Sequence, residues 1–185
     1  MATVLCGISD GIDYSCLAKR RISGVKKVWL FNVDLLNSPI DPSGTGYVTG
    51  LEFTGYDGLY LFDAGKWSHS ATSTINYQAD SGAVTFLQSV ILRLIADTPE
   101  EIATIADLTT ATVGAVVLTN NGEFRIYGAV NGLSATEGEI MPTGRAQGEN
   151  ATSSITLTGE ESLPYRLLWK GDYSTTLQYV QALQF

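Results

Sequence analysis

Two long stretches of alternating residues meet at Asp80-Ser81-Gly82, and they constrain the fold of this chain more than any other feature. In the second, residues 83–96, Val84, Phe86, Gln88, Val90, Leu92 and Leu94 share one parity. Thr85, Leu87, Ser89, Ile91, Arg93 and Ile95 share the other. One face nearly all apolar and one mixed is the period-two signature of a strand with one side in a core. Residues 66–78 precede it across turn residues, so the pair reads as a hairpin with arms longer than the usual strand. Long hairpins of this type often extend past their own domain to reach a neighbour.

The remaining sequence follows the same grammar. Residues 25–34, 48–54, 59–63, 113–119 and 123–130 read as strands rich in Val, Leu, Phe and Tyr, with Asn120-Asn121-Gly122 turning one hairpin. Residues 134–146 and 151–158 read as two further extended segments, residues 160–164 as a turn, and residues 165–170 and 173–183 as extended chain to the end. One helix stands out at 98–110, where Thr98-Pro99-Glu100-Glu101 forms a capping box ahead of Ile102, Ile105, Ala106 and Leu108. The expected fold is mainly β: an antiparallel β-sandwich or barrel with one flanking helix at about 98–110. At 185 residues the chain is read as one domain. Residues 1–23 form an N-terminal arm, 37–58 include a long Pro-, Gly- and Ser-rich loop, and 169–185 form a C-terminal extension.

Composition excludes several chemistries. One histidine, His69, and two cysteines, Cys6 and Cys16, are too few for a four-ligand structural zinc site. Cys6 and Cys16 lie ten residues apart, which leaves two reduced thiols or a disulfide fastening the arm. His69 sits between Ser68 and Ser70 on an extended segment, where neighbours alternate faces, so it reads as a surface side chain with no triad around it. The glycine run at 44–50 is out of register with a dinucleotide fingerprint and has no helix behind it. Glu137 and Glu139, or Glu160 and Glu161, could be imagined as a glycosidase pair, yet nothing separates them from surface charge. No catalytic residue, cofactor site or metal site emerges, and the chain reads as a non-enzyme. No apolar run is long enough for a membrane span, and the first residues have no signal-peptide pattern, which implies assembly in a cytoplasm.

The charge is segregated. Residues 1–27 carry five basic and two acidic side chains, net +3, while 28–185 carry seventeen acidic and six basic ones, net −11. Lys19, Arg20, Arg21, Lys26 and Lys27 crowd nine positions. A basic arm laid on the acidic body of a neighbouring copy would use both halves, with Asp80 at the hairpin tip a further candidate contact.

Four stretches together resemble a family of tail-tube-like virion structural proteins from tailed phages of Bacteroidetes-type hosts. They are Cys6-Gly7 and Cys16 followed by Gly24-Val25-Lys26-Lys27-Val28-Trp29-Leu30-Phe31-Asn32; the hairpin and helix over 72–110; Asn120 to Gly128 with Asn131-Gly132; and Thr143 to Gly148 followed by Ser154 to Glu161 and Pro164. The resemblance implies a β-sandwich that assembles with itself into six-fold rings, stacked with other virion proteins into a tail tube through which DNA passes. On this reading residues 66–96 line the tube, and an acidic lumen holds the DNA phosphates off. A head–tail completion ring or capsid decoration protein is an alternative on the same fold. A carbohydrate-binding β-sandwich is an alternative of another class, with an exposed aromatic patch near Trp67 or Tyr56.

Overall fold

The computed structural model describes residues 23–40, 47–55, 57–63, 69–79, 82–94, 98–140 and 152–185. In chain order the elements are β1 (Val25–Asn32), a 3-10 turn (Val33–Leu35), β2 (Leu36–Ile40), β3 (Tyr47–Val48), β4 (Gly50–Phe53), β5 (Tyr60–Phe62), β6 (Ser70–Gln78) and β7 (Ala83–Leu94). Then come α1 (Pro99–Thr110), β8 (Val113–Thr119), β9 (Phe124–Tyr127), β10 (Ser134–Glu139), β11 (Ser153–Glu161), β12 (Arg166–Leu168) and α2 (Tyr173–Ala182).

The strands make a six-stranded sheet, β3-β12-β9-β8-β1-β5, and a four-stranded sheet, β10-β11-β7-β6, with β2 and β4 as a separate hairpin. Pairing is antiparallel except between β12 and β3. The expected mainly β sandwich is what the chain adopts. The long hairpin is present in register from Ser70↔Ile91 to Gln78↔Ala83.

Two apolar layers hold the sheets. The first lies between them and joins Val28, Leu30, Ala115 and Val117 of the large sheet to Val90, Leu92, Leu94, Ile155 and Leu157 of the small one. Helix α1 closes its margin with Ile105 and Leu108, held by the reciprocal Thr98–Glu101 capping box. The second layer covers the opposite face of the large sheet, where Trp29, Phe31, Val116, Phe124, Ile126 and Leu168 meet Leu51 and Val180. Strand β8 therefore has core on both sides and is buried at all seven positions, which is why its sequence is an unbroken run of small and apolar residues. Gly114 within it serves the second layer, since a Cβ there would overlap the Phe31 ring.

Four expectations are corrected. Residues 173–183 are not extended: α2 runs over Tyr173–Ala182, capped by Asp172, whose carboxylate accepts from Thr175 N–H at 2.8 Å. The start of the expected 37–58 loop is strand, because β2 pairs with β4 from Leu36↔Phe53 to Ile40↔Gly50. The turn at 160–164 begins later than expected, because β11 stays paired through Glu161↔Phe86. His69 is not on the surface but only 4% exposed. The N-terminal arm over 1–22, with Cys6, Cys16, Lys19, Arg20 and Arg21, lies outside the described residues, as does Asp80.

Candidate functional site

The free side of the four-stranded sheet is a broad surface that the core does not consume. Register fixes its residues. β6 contributes Ser70, Thr72, Thr74 and Asn76, opposite Ile91, Ser89, Leu87 and Thr85 of β7. β11 adds Ser154, Thr156, Thr158 and Glu160, and β10 adds Glu139, Glu137 and Ser134 opposite the first three of these. Apart from Leu87 and Ile91 this is a carpet of hydroxyls and amides. Its charges are three carboxylates, Glu137, Glu139 and Glu160, and one guanidinium, Arg93. Glu160 is tied into the carpet, accepting from Asn76 Nδ2 at 3.0 Å. Glu137 and Glu139 are exposed on the same face, as their spacing implies.

The two margins of this sheet differ. β10 carries a bulge between Ala135 and Glu137. β6 is the opposite edge, nine residues long with no charge, no proline and no bulge along its pairing. Proteins that stay monomeric blunt such an edge, since its unpaired N–H and C=O groups template another strand.

The hairpin also outruns the core. Its inward parity is buried at Gln88, Val90, Leu92 and Leu94, then emerges into solvent. Ile75, Tyr77 and Val84 are 67, 62 and 51% exposed on that parity, beside half-buried Phe86. Ile75 faces Phe86 and Tyr77 faces Val84 across the hairpin, so the four side chains form one strip.

Where that parity enters the core, Gln88 is the single polar residue in an apolar series. Its Oε1 accepts from Gly128 N–H at 2.7 Å and its Nε2 donates to Leu163 O at 3.1 Å. Glu161 performs a similar task nearby, accepting from Val130 and Asn131 N–H at 2.9 Å each. Both groups satisfy backbone of the turns at 128–131 and 163 where these meet the sandwich margin, which is a positioning task.

Of the basic residues singled out by sequence, Lys27 lies 3.9 Å from Asp63 and Lys26 is exposed on the same strand. His69 Nδ1 accepts from Arg93 N–H at 3.3 Å, and its Nε2 finds no partner among the described residues. Burial pushes its pKa below the ordinary 6.5, against the pull of the Asp63 carboxylate. Among the described residues no group of three His, Cys, Asp or Glu side chains could hold a metal ion, and no helix is long and apolar enough to cross a membrane.

A second surface was not visible in the sequence. At the end of the large sheet where the β8–β9 turn meets β12 and the start of α2 there is a cavity of about 480 Å³. Tyr47, Trp169 and Tyr173 line it, each 40 to 50% exposed, with Asn120, Asn121 and Glu123 among its polar groups. Tyr47 lies 122 residues before Trp169, and Tyr173 opens a helix in a segment that reads as extended from sequence, so the fold is what assembles them. Trp67 and Tyr56, where an aromatic patch was expected, lie outside the described residues.

No protein-family model matches the chain, and neither the curated proteins nor the solved structures gave a significant match.

Proposed function

We propose that this protein is a virion structural subunit, a tail-tube protein whose copies close edge to edge into rings that stack into a conduit for DNA. The observation that carries the reading is the β6 edge, uncharged and, among the described residues, paired to no strand beyond β7, on a sheet whose free face is polar and acidic. Pairing β6 of one copy with β10 of the next satisfies both margins and continues the sheet. Six four-stranded sheets joined this way close a barrel and leave no edge, and the free face becomes its lumen. Hydroxyls, amides and carboxylates then line the bore, giving phosphates little counter-charge to settle on. The exposed Ile75–Tyr77–Val84 strip lies at the hairpin end, where it would pack against an adjoining copy within or between rings. The location that follows is the phage tail, with other virion proteins as further partners, and the activity is assembly instead of catalysis.

Negative-stain electron microscopy of the purified protein, with light-scattering mass on the same sample, tests this. Six-fold rings or stacked tubes are expected, and Ile75→Ser with Tyr77→Ser should leave a folded protein with a monomer's mass. Rings that never stack would replace the tube with a head–tail completion ring. A wild-type monomer at all concentrations, unchanged by the double substitution, would overturn the reading.

A further inference from the structure

We infer that the cavity bounded by Tyr47, Trp169 and Tyr173 is a carbohydrate-binding site, taking a pyranose residue of a glycan. The inference uses residues that the assembly reading does not, so either can fail alone.

Three of the exposed large aromatics converge on one hollow of about 480 Å³, within the roughly 300–1,000 Å³ range of small-molecule sites. Scattered exposed aromatics need no explanation, but a cluster around a concavity does. Parts of the lining are also held in place before any ligand arrives. The backbone N–H of Trp169 donates to Val48 O at 2.9 Å, which fixes the main chain that carries the indole beside β3. Tyr173 packs on the buried Phe124 ring at 5.8 Å between centroids. Asn120 Nδ2 donates to Ser23 O at 2.8 Å, which fixes its amide plane, and Glu123 is fixed by Arg125 at 2.6 Å. Such preorganisation reduces the ordering cost of binding.

The chemistry of the lining selects the ligand. Aromatic faces carry negative charge density and attract partially positive C–H groups. A pyranose presents C–H groups on its ring faces and hydroxyls around its rim, so one ligand can stack on the rings while its rim meets the amides and carboxylate. A wholly apolar ligand would strip water from the Asn120 and Asn121 amides and the Glu123 carboxylate and offer them no hydrogen bond in return. A nucleotide would bring several negative charges to a lining whose charged groups, Lys26 and Glu123, offset each other, on a chain of net charge −8.

The test is saturation-transfer NMR on the full chain with three neutral probes: maltotriose, the trimer of N-acetylglucosamine, and cellotriose. At least one should receive saturation on its ring C–H protons. Its affinity should fall about tenfold or more in Trp169→Ala and in Tyr47→Ala, the loss of one stacking partner. Asn121→Ala, which removes an amide without removing a ring, should also weaken it, while Ile75→Ser should bind as wild type. Circular dichroism melts would show that each variant is folded. Transfer to none of the three trimers at millimolar concentration would overturn the proposal. So would undiminished binding in both aromatic variants, which would place the sugar elsewhere.

Discussion

His69 and Gln88 are both buried polar side chains, but only Gln88 has partners at both ends, while His69 is satisfied at Nδ1 and not at Nε2 among the described residues. Gln88 broke an apolar series in the sequence, and the period alone showed that it pointed inward. What it served was hidden, because Gly128 and Leu163 lie 40 and 75 residues away. His69 gave no such signal, since the segment around it has no apolar parity to betray its burial. Its chemistry makes a prediction. Folding lowers its pKa below the ordinary 6.5, so the unfolded chain takes up the proton first. Stability is then complete above the unfolded value, falls as pH drops through it, and levels off below the folded value. Thermal melts between pH 7.5 and 5.5 should show a falling midpoint in wild type. His69→Asn, whose Oδ1 can still accept from Arg93 N–H, should flatten that slope. An equal slope in the variant would assign the loss to other groups.

At the scale of elements, the chain was legible where one signal stood alone. The capping box and stripe of α1, the Asn121–Gly122 turn (φ +81° at Gly122) and the alternation in β7 each formed as the local pattern requires. Helix α2 was misread because its residues, YSTTLQYVQA, carry the Tyr, Thr and Val typical of strands. Tertiary context decides there. Thr176 and Val180, four residues apart, are both fully buried, and the Tyr179 hydroxyl donates to Leu51 O and accepts Leu51 N–H. A strand would send alternate residues away from this layer, whereas a helix lays one face over the large sheet. Asp172 and Thr175 are the start signal, though a turn would use the same residues. Val180→Ala removes two methyl groups from a site with no exposure and should cost about 2 kcal/mol, transfer and cavity terms together. Chemical denaturation should show a lower midpoint with an unchanged slope. A cost near zero would mean that α2 is only loosely seated on Trp29, Phe124 and Leu168.

For the whole molecule, the sequence revealed a surplus of acid but not its placement, because a carboxylate on a strand faces core, solvent or lumen according to pairing partners far along the chain. Pairing puts Glu137, Glu139 and Glu160 on one face with Arg93, net −2, among neutral hydroxyls and amides. If that face is a bore, its charge decides whether DNA slides or sticks, which is a property of the assembly and not of the subunit. Changing all three glutamates to lysine takes the face from −2 to +4 while leaving the β6 edge and the Ile75–Tyr77–Val84 strip intact. Assemblies should still form, because the β6–β10 joint is made by backbone hydrogen bonds, which side-chain changes at Glu137 and Glu139 on the free face of β10 leave in place. They should now retain host nucleic acid through purification, read as a raised ratio of absorbance at 260 to 280 nm. That nucleic acid should be released by salt, since each lysine–phosphate contact displaces condensed counterions. Wild-type assemblies should purify free of it. Lysine assemblies equally free of nucleic acid would place the face on the outside or against a neighbour, and the conduit would need another lining.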